Sequence, residues 1–416
     1  MISAENALRI ILDAVRPARA ESVLIGRAAR RTAAEDVASR FDIPPFDNSA
    51  MDGYALRSAD IAAASARGPV RLPLAGEASA GDPFRGRLPA GAAVHVMTGG
   101  VIPRGADTVV PVEQAEIAGD AVVIRAPSPP GTYIRRRGED IARGRRVISR
   151  GDLLTPSHVG VLASIGRTSV RVAARPRVAI LATGDEIVPP QGKPGPGQIR
   201  NSSSYALMGM VEEAGGAAEF LGIAPDRKSA IRRSVIRGLG RDLLILTGGV
   251  SVGAHDYVAG VLRDAGIDIR FWRVNIRPGS PLLFGVARRT LVFGLPGNPV
   301  STAVTFLQFV RPALRRMLGQ KTLFPARFAA VTDEALDGGG GKRCYIRGIA
   351  RSVGRTIRVR TTGSQSSGVM SSMLLANCLI ILPEGGKSLS PGDPVEIEYL
   401  RDPATGVVPE GRERDA

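Results

Sequence analysis

The hydrophobic pattern changes several times along the chain and divides it into segments. From Ser3 onward apolar residues recur with helical spacing until Pro17 ends the run, which predicts an amphipathic opening helix. Between residues 46 and 140 short apolar runs separated by Gly and Pro are typical of strands, so we predict an inserted β domain there. Residues 1–45 and 141–174 are predicted to form a discontinuous extended domain around that insert.

The pattern changes again near residue 175. Strand-like runs such as RVAILA and DLLILT alternate with helix-like runs such as YALMGMVEEAGG, which indicates a parallel α/β sheet with helices on both faces over residues 175–322. Strand-like runs with Gly-rich separators return over residues 323–402 and predict a small C-terminal β domain. Residues 403–416 are predicted to be a loose tail. The predicted fold class is therefore multidomain, α/β plus β.

Composition narrows the class of protein. A length of 416 residues fits about three domains, and 44% hydrophobic with 23% charged residues excludes a wholly disordered chain. Two cysteines, Cys344 and Cys378, cannot supply a disulfide framework, and we expect a cytoplasmic protein. The chain shows neither an export signal nor a membrane-spanning run, so no membrane partner is expected.

The net charge of +16 favours anionic partners, which include nucleic acid, acidic lipid and oxyanionic small molecules. Binding of nucleic acid would need aromatic stacking platforms or a basic stripe. Aromatic residues make up only 4% of the chain, and Arg is spread along it. We therefore expect small-molecule anionic substrates and no nucleic acid.

Three strands of the α/β segment run directly into Gly-rich turns: LATGDE at 181–186, TGGVSVG at 247–253 and GLPGNP at 294–299. The carboxyl ends of parallel strands form the ligand crevice of such sheets, and glycine lets the backbone approach a phosphate closely. A single Gly pair is more often just a turn, but three such loops at one edge favour an anion site. None fits the dinucleotide fingerprint or the GxxxxGK[ST] loop, which disfavours a Rossmann dehydrogenase and a P-loop NTPase.

Acidic and basic side chains accompany these loops. The carboxylates are Asp185, Glu186, Asp226 and Asp256. Carboxylates repel phosphate unless a divalent cation bridges the two. Mg2+ with a phosphorylated ligand would therefore explain why carboxylates occur beside loops suited to anions. Helix capping is the alternative for each carboxylate, above all for Asp256. Two arginines near the same edge, Arg273 and Arg277, carry guanidinium groups that suit tetrahedral oxyanions.

An ordered set of strings covers nearly the whole chain: PPFDNSAMDGYA at 44–55, MTGGVIPRGADTVVPVEQ at 97–114, RRRGEDI at 135–141, ATGDEIV, GGVSVGAHDY, FGLPGNPVST and GSQSSGVMSSMLLAN. In order and spacing this set resembles the molybdopterin molybdenumtransferase family, the MoeA type that gephyrin's E domain shares. The resemblance implies an L-shaped homodimer whose α/β domain is similar to the molybdopterin adenylyltransferase (MogA-like) fold. The implied reaction converts adenylylated molybdopterin and molybdate into molybdenum cofactor and AMP, with Mg2+ as cofactor. Contact with a molybdopterin adenylyltransferase is a further expectation.

Functional residues are carried over from the family only where the strings match. Catalytic roles are implied for Asp52, Thr98, Asp140, Glu186 and Asp256, and metal binding for the last two. Substrate binding is implied for Arg135, Gly184, Asp226, Gly248, Gly249, Ser251, Pro296 and Pro299. Molybdate binding is implied for Arg277, Ser280, Pro281, Arg347 and Ser367. Since the early strings lie in the β insert, the resemblance implies an active site completed across the dimer.

The chain departs from the family pattern at two places. The family usually has KPGKP where residues 277–281 read RPGSP, so Ser280 removes a cation from the implied oxyanion pocket. Asn201 stands where the family has Asp, which removes a carboxylate. Two alternatives therefore stay open: a divergent paralogue that holds molybdopterin as a scaffold or carrier, and an enzyme that prefers tungstate.

Overall fold

The computed structural model describes residues 1–249 and 256–400, with the backbone alone for residues 256 and 257. The opening helix, α1 (Ala4–Ala14), begins where Ser3 Oγ accepts a hydrogen bond from the backbone N–H of Asn6, and it ends before Pro17, as predicted. Two short strands follow, β1 (Ala20–Leu24) and β2 (Val37–Ala38).

The insert is all β, as the sequence predicted. Its strands are β3 (Asn48–Ser49), β4 (Gly53–Leu56), β5 (Val70–Ala78), β6 (Ala93–Val96), β7 (Thr108–Pro111), β8 (Ala115–Ala118), β9 (Ala121–Ile124) and β10 (Ile134–Arg135). Six of them form one sheet in the order β7-β4-β6-β5-β9-β8, and β3 pairs with β10. Because the β3–β10 pair holds the two ends of the insert together, residues far apart in sequence meet on its rim.

The chain then returns to the first segment through β11 (Arg146–Ile148), α2 (Pro156–Ser164) and β12 (Ser169–Ala173). β11 pairs with β2, and β12 pairs with β1, both antiparallel. Residues 20–43 and 146–173 therefore pack together around their own apolar core. The opening helix α1 does not share that core: its Ala4, Ala7 and Ile11 are buried in the core of the α/β segment.

The α/β segment contains β13 (Arg177–Thr183), β14 (Ile187–Val188), β15 (Ile199–Arg200), α3 (Ser203–Glu213), β16 (Ala217–Ala224), α4 (Lys228–Gly238), β17 (Leu243–Thr247), α5 (Asp256–Asp264), β18 (Asp268–Trp272), β19 (Ile276–Arg277), β20 (Leu283–Ala287), β21 (Thr290–Leu295), α6 (Pro299–Thr305) and α7 (Arg311–Met317). The sheet order is β16-β13-β17-β21-β20-β18. The first four strands are parallel, whereas β20 runs antiparallel to both of its neighbours. The two residues between β20 and β21 permit only a hairpin, so the predicted parallel sheet becomes mixed at one side.

The C-terminal segment contains β22 (Arg327–Thr332), β23 (Arg343–Val353), β24 (Thr356–Thr361), α8 (Ser371–Leu375), β25 (Cys378–Leu382) and β26 (Pro394–Tyr399). Five strands close on themselves through the pairing of β23 with β25, and this closure makes a small barrel. β19 of the α/β segment adds to the barrel by pairing in parallel with the start of β23. This pairing ties the two domains together next to the strand ends of the α/β sheet.

The predicted domain boundaries at 45, 140, 174, 322 and 402 stay predictions, and the predicted tail lies outside the described residues. A buried ion pair joins the two C-terminal domains, since Arg311 Nη2 lies 2.7 Å from Glu398 Oε1. Within residues 1–249 and 256–400, the helices are all too short or too polar to cross a bilayer.

Candidate functional site

A crevice of about 650 Å³ lies at the carboxyl ends of β13, β17 and β21. The loops that follow these strands line it together: Gly184 and Glu186 from the first, Gly248 and Gly249 from the second, Pro296 and Pro299 from the third. Three Gly-rich turns that are far apart in sequence therefore meet at one edge of the sheet, where open α/β sheets bind their ligands.

The glycines of the second loop are required by its close approach to β13. Gly248 has φ +85°, and a Cβ there would lie 2.5 Å from the carbonyl oxygen of Thr183. Gly249 has φ +66°, and its Cβ would lie 2.8 Å from Thr183 Oγ1. Any other residue would combine left-handed backbone strain with steric overlap, so the sequence keeps this loop thin and its backbone exposed to a ligand.

Two of the predicted carboxylates line the crevice. Asp226 Oδ1 is buried and has no hydrogen-bond partner within residues 1–249 and 256–400, while the Asp226 backbone N–H donates to Asp185 Oδ1 at 3.1 Å. Glu186 is exposed at the same crevice. An orphaned buried carboxylate oxygen costs free energy unless a ligand or cation completes it. Ser251 and the side chain of Asp256 lie outside the described residues.

A second cavity, of about 660 Å³, lies between the α/β domain and the barrel. All five residues predicted for molybdate line it: Arg277, Ser280, Pro281, Arg347 and Ser367. Pro281, Pro296 and Asn298 line both cavities, so the crevice and this basic pocket are contiguous. Two groups bound one in each cavity would therefore lie next to each other.

Arg347 is a buried cation of the basic pocket, with 1% of its surface exposed. Its Nε donates to Ser372 Oγ at 3.1 Å, and its Nη2 donates to the carbonyl oxygens of Ser366 and Ser364 at 3.1 and 3.4 Å. Among the described residues no carboxylate pairs with it, and burial lowers the pKa of Arg347. A buried guanidinium held only by neutral oxygens is an incomplete charge pair that an oxyanion would complete.

The two departures from the family pattern have local structural explanations. Ser280 Oγ donates to the carbonyl oxygen of Val274 at 2.9 Å, so this hydroxyl stabilises its own loop. Asn201 is buried, and its Oδ1 accepts from the backbone N–H of Ser204 at 3.1 Å while its Nδ2 donates to Ser204 Oγ at 3.1 Å. Asn201 thereby caps the start of α3 with neutral hydrogen bonds.

Of the four predicted site residues of the insert, the structure brings Asp52 and Thr98 into direct contact. Asp52 Oδ1 accepts from the backbone N–H and the Oγ1 of Thr98 at 2.6 and 2.8 Å, and these hydrogen bonds hold the pKa of Asp52 below its ordinary value. Arg135, on β10, and Asp140 are both exposed. The residues that line the crevice come from 182–299 and 368–370, so the structure does not bring these four residues to the crevice of their own chain.

The basic pocket also contains residues that the sequence analysis did not single out. Lys342 and Asp337 line it beside Arg277, and Cys344 and Gln365 contribute to its wall. They come from the C-terminal segment, and the pairing of β19 with β23 brings the start of β23 to this pocket. A short strand of two residues gives no sequence signal for that pairing.

The comparisons with known proteins cover the same segments. Three family models match: "MoeA N-terminal region (domain I and II)" at residues 2–166, "Probable molybdopterin binding domain" at 179–316 and "MoeA C-terminal region (domain IV)" at 329–400. The molybdopterin molybdenumtransferase of Haemophilus influenzae is 37% identical over 388 residues, which cover 92% of this chain and 94% of that protein. The enzyme of the same name from Synechococcus elongatus is 36% identical over 411 residues, covering 96% of this chain and 100% of that protein.

Solved structures agree with these matches. The crystal structure of the molybdopterin biosynthesis moeA protein from Pyrococcus horikoshii OT3 superposes with a TM-score of 0.83 at 29% identity, over 96% of this chain and 100% of that one. This agreement confirms the predicted fold class of an α/β domain combined with β domains. Identity above 30% over more than nine-tenths of the chain, with family models in the same order, leads to one conclusion. This chain belongs to the MoeA family of molybdopterin molybdenumtransferases.

Proposed function

We propose that this protein inserts molybdate into adenylylated molybdopterin, releasing AMP and forming molybdenum cofactor. It thus acts in molybdenum cofactor biosynthesis as a transferase. The observation that carries the proposal is the junction of two cavities: a glycine-lined crevice at the ends of parallel strands, and a basic pocket that shares Pro281, Pro296 and Asn298 with it. Such a junction suits a reaction between a phosphorylated organic ligand and a small oxyanion, because both reactants are held side by side.

The two cavities divide the binding work. The thin loop at Gly248 and Gly249 lets backbone atoms approach the phosphates of the adenylylated pterin. In the basic pocket, Arg347 and Arg277 hold the oxyanion with charge-assisted hydrogen bonds. The rigid hydrogen bonds of Arg347 fix its guanidinium before the anion arrives, so little ordering cost remains at binding.

The crevice has the side chains that a magnesium ion needs. Mg2+ is usually held by one or two carboxylates together with substrate phosphates and water. Asp226 offers an orphaned oxygen and Glu186 an exposed carboxylate on the same wall, and Asp256 is the third candidate from the sequence. When bound, the ion would neutralise phosphate charge that these carboxylates otherwise repel.

We propose a homodimer in which the insert of one subunit completes the crevice of the other. Asp52, Thr98, Arg135 and Asp140 do not line the crevice of their own chain. Met51 and Met97, the chain neighbours of Asp52 and Thr98, are large exposed apolar side chains, and Phe46 and Tyr133 of the same insert are exposed as well. A group of exposed apolar side chains around polar site residues is typical of a protein interface. Contact with a molybdopterin adenylyltransferase stays a prediction.

Turnover tests the reaction directly. Purified protein is incubated with adenylylated molybdopterin, with Mg2+ and molybdate added separately and together, and AMP release is followed. We expect AMP only when both ions are present. Tight pterin binding without molybdate-dependent AMP release would instead identify a carrier, and faster release with tungstate would identify the preferred oxyanion.

Subunit complementation tests the shared site. Arg135→Ala and Glu186→Gln chains, each with a different affinity tag, are produced separately and together. Each variant alone is expected to be inactive. If one subunit's insert serves the partner's crevice, each mixed dimer has one intact site, so an equal mixture recovers about a quarter of wild-type activity. A mixture as inactive as its components would show that both residues act within one chain.

A further inference from the structure

The basic pocket has a charge balance that the predicted molybdate residues do not account for. Its charged lining consists of Arg277, Lys342 and Arg347 opposed by Asp337, which leaves two net positive charges. A tetrahedral dianion carries two negative charges. The pocket is therefore matched in charge to a dianion only if Lys342 is counted.

Strand pairing places Lys342 beside the other cations. β19 and β23 pair in parallel, with Ile276 opposite Arg343 and Arg277 opposite Cys344. Lys342 directly precedes β23, and Arg347 lies further along the same strand. One short strand pair thus gathers three cations from two domains around a single cavity.

The state of each cation differs. Arg347 is buried and has no acidic partner in the described part of the chain, whereas Arg277 Nη1 lies 3.6 Å from Asp337 Oδ2 with both side chains mostly exposed. Lys342 is half-buried, and among the described carboxylates none lies within ion-pair distance of it. The Ser280 hydroxyl donates to the backbone of Val274 and adds no charge.

We propose that Lys342 is a further ligand of the oxyanion, which makes up for the cation that Ser280 does not supply, and that Asp337 competes with the oxyanion for Arg277. This inference rests on the proposed function, since it deepens the assignment of the basic pocket. The Lys342 ammonium is a point charge on a flexible side chain, so it can approach an oxyanion without the fixed bidentate geometry of a guanidinium. It can therefore replace the charge of another cation without occupying the same position.

Direct binding tests Lys342 without any catalytic step. The full-length protein, free of pterin, is titrated with sodium molybdate and with sodium perrhenate in a calorimeter. The two tetrahedral oxyanions differ in charge, and a Coulomb interaction scales with the charge of the ligand. For Lys342→Met we expect about tenfold weaker binding of molybdate and about threefold weaker binding of perrhenate. A purely structural role would weaken both anions equally.

Matched variants complete the experiment. Lys387→Met removes the same charge from the same domain at a residue that lines a different cavity, and its affinities should equal wild type. Arg277→Met tests whether the anions bind in this pocket, and it should weaken the binding of both molybdate and perrhenate. Asp337→Asn should tighten molybdate binding about threefold, because Arg277 loses its competing partner.

Each contrary outcome has a distinct meaning. If Lys342→Met behaves like Lys387→Met while Arg277→Met weakens binding, Lys342 is not a ligand and the proposed function is unaffected. If wild type shows no saturable molybdate binding, or if Arg277→Met leaves it unchanged, the anion assignment of the pocket fails and this inference fails with it. The AMP-release assay then still decides whether the protein is a transferase.

Discussion

The thin loop after β17 can be tested by adding one methyl group at Gly248. The φ of Gly248 is +85°, so an alanine there would have a strained backbone. Its Cβ would also lie 2.5 Å from the carbonyl oxygen of Thr183, which is a steric overlap. Gly266 is the matched control in the same domain, because its φ is +81° and nothing lies within 4 Å of a built Cβ. The two variants share the backbone strain, and only Gly248→Ala adds the overlap.

The structure sets the expected size of the difference. Left-handed strain costs about 1–2 kcal/mol in both variants. Overlap with a backbone atom costs about 1–3 kcal/mol more in Gly248→Ala. At about 2–4 °C per kcal/mol, Gly248→Ala should melt about 2–12 °C below Gly266→Ala. Restoring an ordinary contact of 3.4 Å requires the loop to move about 0.9 Å, and a displacement near 1 Å in a site costs about a hundredfold in rate.

Two assays therefore follow the same pair of variants. Thermal unfolding measures the difference in melting temperature, and AMP release measures the loss of turnover. We expect Gly266→Ala to keep nearly full activity and Gly248→Ala to lose most of it. Equal melting temperatures and equal activities would refute the argument that close approach to β13 requires glycine at this position.

Three further predictions concern other parts of the molecule. Glu186→Gln should reduce AMP release at least about a hundredfold without lowering the melting temperature, whereas Glu213→Gln, an exposed control in the same domain, should change neither. Thr98→Val should raise the pKa of Asp52, although the remaining backbone hydrogen bond keeps this pKa below its ordinary value. In the wild type the lowered pKa of Asp52 stabilises the fold at pH values above the unfolded-state pKa, and this stabilisation is lost as the pH falls through the folded-state pKa. Carboxyl-carbon NMR below pH 6 measures the pKa of Asp52 in both proteins, and an unaltered titration would contradict the prediction. Arg311→Met should destabilise by about 3–5 kcal/mol because it leaves the Glu398 carboxylate buried without this cation, although Gln308 Nε2 still donates to it. The double variant with Glu398→Met should recover much of that loss in thermal unfolding, and a single variant no less stable than the double would count against the buried pair.

The sequence predicted well those features that depend on local pattern. Strand runs that end in Gly-rich turns locate the crevice, because strands of one parallel sheet share a carboxyl edge whatever their order. The conformations at Gly184, Gly248 and Gly249 agree with this reasoning, since all three have positive φ. The sequence also carries the information for the mixed side of the sheet. Only Arg288 and Arg289 separate the runs LFGVA (283–287) and TLVFGL (290–295), which leaves room only for a hairpin.

Other features depend on pairings that no local pattern reveals. The orphaned oxygen of Asp226 is visible only when the packing around it is known, because sequence gives a carboxylate but not its hydrogen-bond partners. Likewise, Ser280 considered by its own residue type is a lost cation. The structure adds Lys342 and Asp337 to the lining of the same pocket, so its net charge depends on more residues than the one at position 280.

The position of β19 explains why the net charge of the basic pocket cannot be predicted from any one segment of the sequence. This strand has two residues and carries Arg277, yet it joins the α/β domain to the barrel and brings the start of β23 to the same cavity. An oxyanion responds to the summed field of nearby charges and not to the segment that supplies each one. A cation supplied by one loop can therefore be replaced by a cation from another domain while the net charge of the pocket stays the same. If Lys342 supplies the second free cation, the pairing of β19 with β23 matters more for the charge of the pocket than a cation at position 280, where Ser280 instead donates to the carbonyl oxygen of Val274.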